Sequence, residues 1–374
     1  MYRIIRKPHQ RTKNKWCIYP MYDWTHGESD YIEQVSHSLC SLEFVAHREL
    51  YEWFVNQIYQ ETRIKPKQRE FARLNLSYTV TSKRKLAQLV EEKIVNGWDD
   101  PRMPTLSGLR RRGYTPESIR KFCDMLGVAK RENLIEIALL EFCVREHLNA
   151  IAPRVMGVVN PLKLIIINYP KGEEEWLEAE NNPEEAQKTF RKVPFSRELY
   201  IEKEDFREVA NRKFFRLKLG GEVRLKNAYI IKAEKVIKDE QGEVVEIYCT
   251  YDPKSKSRSG TEESLRKVKG TIHWVSITHA LEVEINNYDH LFQYPKPDTC
   301  EGGFTMALNP QSLLKSKAFV EPSLNGAKAG DKFQFQRTGY FCVDIDSTKD
   351  HLVFNKTVGL RDSWSKININ QTLE

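Results

Sequence analysis

The sequence predicts a multidomain protein that is α/β at its start, helical in its middle and all-β over the rest. Three observations carry this. The chain has 374 residues, too many for one ordinary core and enough for two to four domains. Residues 1–90 mix short apolar runs with helical stretches, whereas residues 91–150 carry helix signals throughout. Beyond about residue 151, short strands and turns take over, a texture that suggests barrels.

Composition narrows the class. Hydrophobic residues make up 40% and charged residues 30% of the chain, as in soluble globular proteins and not disordered ones. A net charge of +7 is mild at this length and argues only weakly for an anionic partner. Seven cysteines form no CxxC pair and no zinc spacing; they fit a reducing, cytoplasmic compartment, and no metal site is expected. No apolar run is long enough to span a membrane. The start, MYRIIRKPHQRTKNKWC, is basic but lacks the apolar stretch of a secretory signal. It reads either as a mimic of a targeting peptide or as a start in mid-domain, because Trp16 to Pro20 already reads as a strand entering a site.

The elements follow in order. Ile32 to Cys40 carries helix-like spacing, and Arg48 to Tyr59 is strongly helical, with Leu50, Trp53, Phe54 and Ile58 recurring on one face. Thr115-Pro116-Glu117 is a helix start: a cap, a proline at the first position and an acid for the helix dipole. Ile119, Phe122, Cys123 and Leu126 share its face, and Gly127 ends it. A second helix is expected over about Arg131 to Asn149. Glu222 to Val236 reads as strand, Asp239 to Gly242 as a turn, and Val244 to Tyr251 as the returning strand. Lys171 to Glu185 is acidic and Ser255 to Ser264 polar, so both are expected as loops. No internal repeat is present.

Tyr78-Thr79-Val80-Thr81-Ser82-Lys83-Arg84-Lys85-Leu86 is a small polar loop ending in three consecutive cations. Such a loop can fold over a polyphosphate, with a lysine ammonium as the point charge for negative charge that develops during transfer. From the residues alone it reads more readily as a solvated basic helix start, since Leu86, Leu89 and Val90 continue as a helix. Asp99 to Gly113 joins a proline-rich turn to Arg110, Arg111 and Arg112, which make either a compact phosphate-binding surface or a solvated helix face.

The Tyr78–Leu86 loop resembles the Lys-Met-Ser-Lys-Ser signature of class I aminoacyl-tRNA synthetases, in the Met-Ser-Lys-Arg-type form of the glutaminyl enzymes. Thr81 stands at the methionine position, while Ser82 and Lys83 are kept. The resemblance runs through Asn14 to Asp23, Thr25-His26, His37 to Phe44, Glu70 to Leu76, Gly97 to Thr105, Gly108 to Tyr114, Val193 to Ser196, His273 to Ser276 and Val358 to Asp362. Their order and spacing identify the chain as similar to the glutaminyl-tRNA synthetase family over almost its whole length.

The resemblance implies a fold and a reaction. Residues 1–92 would be the second half of a class I Rossmann-type catalytic domain, with the Val80–Arg84 signature loop. Residues 93–150 would be a helical connector against the acceptor-stem side of the tRNA. Residues 151–374 would be an anticodon-binding region of two β-barrels, the distal one, roughly 209–290, inserted in the proximal one. The activity implied is ATP-dependent activation of L-glutamine and its transfer to tRNA(Gln). ATP with Mg2+ would be a substrate, with no tightly bound cofactor and no membrane, in a monomer.

Site residues carry over position by position. Ser82 and Lys83 would act at the phosphates, with Ser41, Arg73, Leu74 and Thr81 also on ATP. Tyr22 would lie against L-glutamine, where a phenol oxygen can accept a hydrogen bond from a side-chain amide. His26, Cys40 and Gln68 are further candidates for that pocket. Related glutamyl enzymes are expected to hold an arginine at the place of Cys40, pairing with a substrate carboxylate. Left facing a neutral amide, such an arginine would be unpaired, at a cost of roughly several kcal/mol, so Cys40 and Tyr22 favour glutamine. Arg110, Arg111 and Arg112 would contact the tRNA stem. Arg154, Arg216, Arg224, Gln334 and Arg337 would meet anticodon bases. Lys226, beside Asn227, stands where an arginine is expected and keeps the charge without the bidentate fork.

No His-Ile-Gly-His-like motif is present, and the acid expected to hold the substrate amino group would also lie upstream. The chain alone is therefore expected not to form glutaminyl-adenylate at a useful rate. A stand-alone tRNA-binding module and a glutamate-specific sister enzyme are the competing readings.

Overall fold

The computed structural model describes residues 2–361. The chain forms two compact units. One is the chain up to Leu76 together with Cys123–Ile135; the other is Ser77–Phe122 together with the chain from Glu136 onward.

The first unit is mixed α/β. Strands His37–Ser41 and Lys67–Phe71 pair in parallel, with Ser38 beside Gln68 and Cys40 beside Glu70. Alternation puts those four residues on one buried face. Helices Tyr22–Ile32 and Arg48–Ile58 pack together, with the rings of Trp24 and Phe54 4.3 Å apart. Gly27 permits that approach: a Cβ there would lie 2.9 Å from the Tyr51 ring. A hairpin of Tyr2–Ile4 and Ile18–Pro20 precedes them.

Three expectations are corrected here. The helix-like spacing over Ile32 to Cys40 breaks: the helix stops at Ile32 and His37–Ser41 is strand. The parallel partner Lys67–Phe71, far along the chain, decides it. In the helix Arg48–Ile58 the buried side chains are Tyr51, Phe54 and Val55, while Trp53 is 55% exposed. The helix at Pro116 ends as expected, with Gly127 at φ +63°. The helix expected from Arg131 starts only at Ile137, because Leu134–Ile135 pairs as a parallel strand with Asn75–Leu76.

The second unit holds the remaining helices and two seven-stranded sheets. The first sheet runs in the order 271–272, 222–225, 230–238, 244–251, 161–166, 198–202 and 275–276. Its two edge strands are separated in the chain only by His273 and Trp274. The second sheet runs 154–155, 332–335, 339–343, 353–359, 281–288, 313–320 and 157–158, with only Met156 between its edges. Each sheet is therefore curled until its edges meet on one continuous segment, which removes exposed edges. Each has its own core, one around Trp274, Phe195 and Leu164, the other around Phe335, Phe341 and Phe354.

The first sheet is nested in the chain of the second. It begins at Pro161, earlier than the 209–290 insertion expected from the sequence. The cause is a long-range parallel pairing, Glu246 with Lys163 through Cys249 with Ile166. The acidic segment Lys171 to Glu185 is likewise not all loop: Glu175–Glu180 pairs with Phe190–Phe195, burying Leu177 and Ala179 while Glu178 faces out. The Ser255 to Ser264 stretch contains the start of a helical turn, Glu262–Leu265, capped by Thr261.

The short helix Leu106–Arg112 seats on the second sheet through its terminal glycine. Thr105 caps its start by accepting from the Gly108 amide at 2.9 Å. Gly113 ends it at φ +103°, and a Cβ there would lie 2.5 Å from Thr357 Oγ1 and 2.6 Å from Cys342 Cβ. Only glycine fits both the backbone and the space.

Candidate functional site

In the first unit, the expected amino-acid pocket residues come together. The Tyr22 ring lies 4.9 Å from His26 and 4.8 Å from Phe44. His26 faces Asp30 at 3.5 Å. Ser38 Oγ joins Asp30 to the Tyr51 hydroxyl, the latter at 2.6 Å. Cys40 is buried, and its thiol is pushed up by burial and by Glu70, with Arg48 pulling part of the way back. Tyr22 is likewise raised, by burial first and then by Cys40 and Asp30, so it stays a neutral phenol.

Beside Cys40 lies a group that sequence reasoning missed. Arg48 Nε donates to Glu70 Oε1 at 3.0 Å, and its Nη2 to Oε2. That clamp, ahead of all other causes, holds the Glu70 carboxyl down to about 2. Gln68 Nε2 donates to Glu70 Oε1 at 2.8 Å and to the Phe44 carbonyl at 3.1 Å. The available signal was period two: Gln68 and Glu70 share a strand face.

Arg73 and Leu74 line a different hollow of the same unit. It has a volume of about 340 Å³, with Phe71, Leu126, Val128 and Ile135 among its walls. Arg73 Nε donates to Asn75 Oδ1 at 2.9 Å. Ser41 ends the strand His37–Ser41, opposite Phe71, and does not line this hollow.

The signature loop belongs to the second unit. Tyr78 turns with φ +57° and stacks on His290 at 4.8 Å. Val80 is buried with Leu86, Phe292 and Phe304. Lys85 pairs with Asp298 at 2.6 Å. Thr81 is exposed, so the departure from methionine removes nothing from the core; Val80 and Leu86 do the packing. Ser82 precedes the helix Lys83–Glu91 without capping it. Lys83 and Arg84 are exposed, with no partner among the described residues.

A cavity of the same unit, about 270 Å³, is lined by Arg154, Lys226, Asn227, Gln334, Gln336 and Arg337, together with Glu180, Pro183 and Arg258. It gathers four residues singled out in the sequence at positions 154, 226, 334 and 337. Trp274 Nε1 donates to the Lys226 carbonyl at 2.9 Å, tying this turn to the core. Lys226 is half-buried, and its ammonium is lowered by burial first, then by Arg337, Arg154 and Arg191. Gln336 is 5% exposed and its Oε1 finds no partner among the described residues, a condition that costs about 1–3 kcal/mol when nothing binds. Gln336 could have been found by its spacing of two from Gln334; Asn227, beside Lys226, turns with φ +59°.

Several expected arginines are already committed. Arg154 Nη1 donates to the Asn149 carbonyl at 3.0 Å and to Asn182, and Nη2 to Asn149 Oδ1 at 2.7 Å. Arg337 grips Asp205 with both terminal nitrogens and donates to His273 Nδ1 at 3.1 Å. Arg216 shares Asp205 at 3.3 Å. Arg224 donates to the carbonyls of Ser255 and Ser264 at 2.8 and 2.9 Å. Neither Arg216 nor Arg224 lines the cavity.

The three-arginine surface expected at 110–112 is corrected. Arg111 meets Asp344 at 2.9 and 2.8 Å, Asp346 at 2.5 Å and Asp99 at 3.0 Å. Arg112 donates to the Tyr288 carbonyl at 3.1 Å. Only Arg110 is exposed without a partner among the described residues. Successive helical positions point about 100° apart, so three consecutive arginines cannot share a surface.

The described residues contain no cluster of histidine, cysteine and acid able to hold a metal, and no helix long and apolar enough to cross a membrane. Asp362, the last residue of the final resembling block, lies outside the described residues.

Comparison with known proteins adds three family matches. Residues 1–150 match the catalytic domain of class I tRNA synthetases (E and Q), and residues 152–252 and 271–344 match two anticodon-binding domains of the same class. Curated relatives include glutamine–tRNA ligases of Rhodopirellula baltica and Proteus mirabilis, each 56% identical, and of Vibrio vulnificus, 55% identical. Each match covers 98% of this chain but 61%, 65% and 65% of the relative, so the chain spans less than two thirds of their length.

Proposed function

Because this chain belongs to the class I tRNA synthetases for E and Q, we propose that it carries out the tRNA-reading and part of the substrate-binding work of a glutamine–tRNA ligase. The reaction is activation of L-glutamine by ATP, with Mg2+ on the nucleotide, followed by transfer to tRNA(Gln). The amino-acid carboxylate attacks the α-phosphorus and pyrophosphate leaves; a ribose hydroxyl of the tRNA then takes the acyl group and AMP leaves.

In this reading residues 1–92 are the second half of a Rossmann-type domain and residues 93–150 a connector. The two curled sheets are anticodon-binding barrels, the nested one being 161–276. Lys83 and Ser82 meet the phosphates, where a mobile ammonium can follow developing charge. Arg73, Leu74, Ser41 and Thr81 complete the ATP side. Tyr22, His26, Cys40 and Gln68 hold the substrate side chain, and the uncharged Cys40 wall favours an amide over a carboxylate. The protein works as a cytoplasmic monomer.

The observation that carries the proposal is the 270 Å³ cavity, which joins Arg154, Lys226, Gln334 and Arg337 from three distant parts of the chain. Its size suits an unstacked base better than a helix groove. Lys226 and the Gln334 and Gln336 amides supply donors and acceptors of the kind that read single-stranded bases. Filter binding of the purified chain to tRNA(Gln) and to the same tRNA with altered anticodon bases tests it. Tighter binding of the cognate is expected; equal binding of both would overturn the proposal.

A further inference from the structure

We infer that His273 is a positioning residue of the 270 Å³ cavity: as a neutral imidazole it accepts from Arg337 and holds that wall in place, and uptake of one proton on its ring releases it. The inference rests on the reading of this cavity as an anticodon-base site.

The cavity draws its walls from both curled sheets. Arg154 and Gln334 stand on strands of the second, and Lys226 and Asn227 follow the strand Glu222–Leu225 of the first. Arg337 braces the two. It sits in the turn between Lys332–Phe335 and Gly339–Val343, with a left-handed backbone at φ +67°. Its guanidinium crosses to the buried Asp205, which accepts from both terminal nitrogens, from Nη2 at 2.7 Å. The remaining contact is Nη1 to His273 Nδ1 at 3.1 Å. His273 lies between the two edge strands of the nested sheet and is 1% exposed.

This geometry leaves His273 one protonation state. An arginine only donates, and it keeps its charge. Nδ1 must therefore accept, which puts the single ring proton on Nε2. The far side of the ring fits, because Nε2 faces an acceptor, Glu202 Oε1, at 3.4 Å. Glu202 in turn accepts from the amides of Val159 and Asn160, each at 2.9 Å, where the chain crosses from one sheet to the other. His273 thus stands between the brace and the crossing.

Asp205 alone would meet the guanidinium end-on and leave it free to swing about that line. The His273 contact stops the swing. A proton on Nδ1 would set donor against donor, with two cations 3.1 Å apart in a buried place. That contact is then lost, and Arg337 rests on Asp205 only. Arg337 and Glu202 are the charged groups that face His273 among the described residues. Arg216 shares Asp205 behind Arg337, and Lys226, on the neighbouring turn, donates its amide to the Ile272 carbonyl.

The tautomer and the pH profile of tRNA discrimination test this together. Nitrogen–carbon correlation NMR of the imidazole rings reads the tautomer, with the His273 signals assigned by their loss in His273→Asn. At about pH 8 a neutral ring protonated on Nε2 is expected. A ring protonated on Nδ1 there overturns the inference without any binding assay. Filter binding then gives the ratio of affinities, tRNA(Gln) over the same tRNA with altered anticodon bases, from about pH 8 down to about pH 5. In the unmodified chain the ratio should fall roughly tenfold as pH drops through the histidine range. His273→Asn sets Oδ1 where Nδ1 stood and cannot take up a proton, so its ratio should stay high throughout. His273→Phe removes the acceptor at similar volume, and its ratio should stay low throughout. A ratio above one that does not move with pH in the unmodified chain overturns the inference. So does the same pH dependence in His273→Asn. A ratio of one for the unmodified chain at every pH overturns instead the reading of the cavity as an anticodon-base site, and the inference falls with it.

Discussion

The two candidate sites use charge in opposite ways. The first-unit pocket has one arginine–carboxylate pair, Arg48 with Glu70, closed on itself, and its other acid, Asp30, is held by Ser38 and His26. The second-unit cavity has Arg154, Lys226, Arg258 and Arg337 around it, against Glu180. Yet the forks of Arg154 and Arg337 are already bonded to protein acceptors. In the first, the ion pair's carboxylate accepts from the Gln68 amide. In the second, charge builds the frame, and Lys226, Gln334 and Gln336 are left to face a guest. A count of cations therefore says little about which side chains recognise anything.

The largest effect that sharpens this contrast is at Arg111, a committed cation that does not line the cavity. Arg111→Ala strands Asp344, whose side chain is 1% exposed, and loosens Asp346 and Asp99. A loss of about 3–5 kcal/mol of unfolding free energy is expected in urea titrations. A change below about 0.5 kcal/mol would make Arg111 an ordinary surface cation.

Gln334, proposed as a reader, should behave differently. Its Nε2 donates to the Tyr340 hydroxyl at 2.7 Å and its side chain lines the cavity. Gln334→Ala should cost roughly 1–3 kcal/mol of discrimination between anticodons, by analogy with base contacts on DNA. Stability should change less than in Arg111→Ala. Loss of affinity for all tRNAs alike would place Gln334 with the frame.

Acid tests the first pocket. The Glu70 carboxyl lies at about 2 when folded, against an ordinary 4.5. Between those values the unfolded chain binds more protons, so stability is full above about 4.5 and declines as pH falls toward 2. Hydrogen exchange over His37–Ser41 and Lys67–Phe71 should show the decline, and a variant carrying both Arg48→Met and Glu70→Met should lack this component.

The smallest effect is at Arg110. With no partner to lose, Arg110→Ala should move stability by less than about 0.5 kcal/mol. If it touches phosphate, it should lower the salt slope of tRNA binding by about one. An unchanged slope would leave it as plain surface charge.

Local chemistry made some of this legible and long-range pairing hid the rest. The helix at Pro116, the turn at Gly242 and the signature loop each carry their own instructions in adjacent residues. His37–Ser41 does not, because its strand state depends on Lys67–Phe71. The start of the nested sheet depends on residues 244–251 meeting 161–166 in parallel. At the sites, Tyr22, Cys40 and Gln68 were singled out through the resemblance, but the Glu70 clamp needed coordinates. Arg110–Arg112 read as one surface only while helical rotation and the acids at 344 and 346 were out of view.

The most direct measurement is the ratio of tRNA affinities, cognate over anticodon-altered, for the unmodified chain, Gln334→Ala and Arg110→Ala at two salt concentrations. If the cavity reads bases within a frame of committed cations, the unmodified ratio exceeds one at both salts. Gln334→Ala lowers the ratio, and Arg110→Ala leaves it untouched while weakening both tRNAs. A ratio of one for the unmodified chain at both salts, or an equal fall of the ratio in both variants, would contradict it.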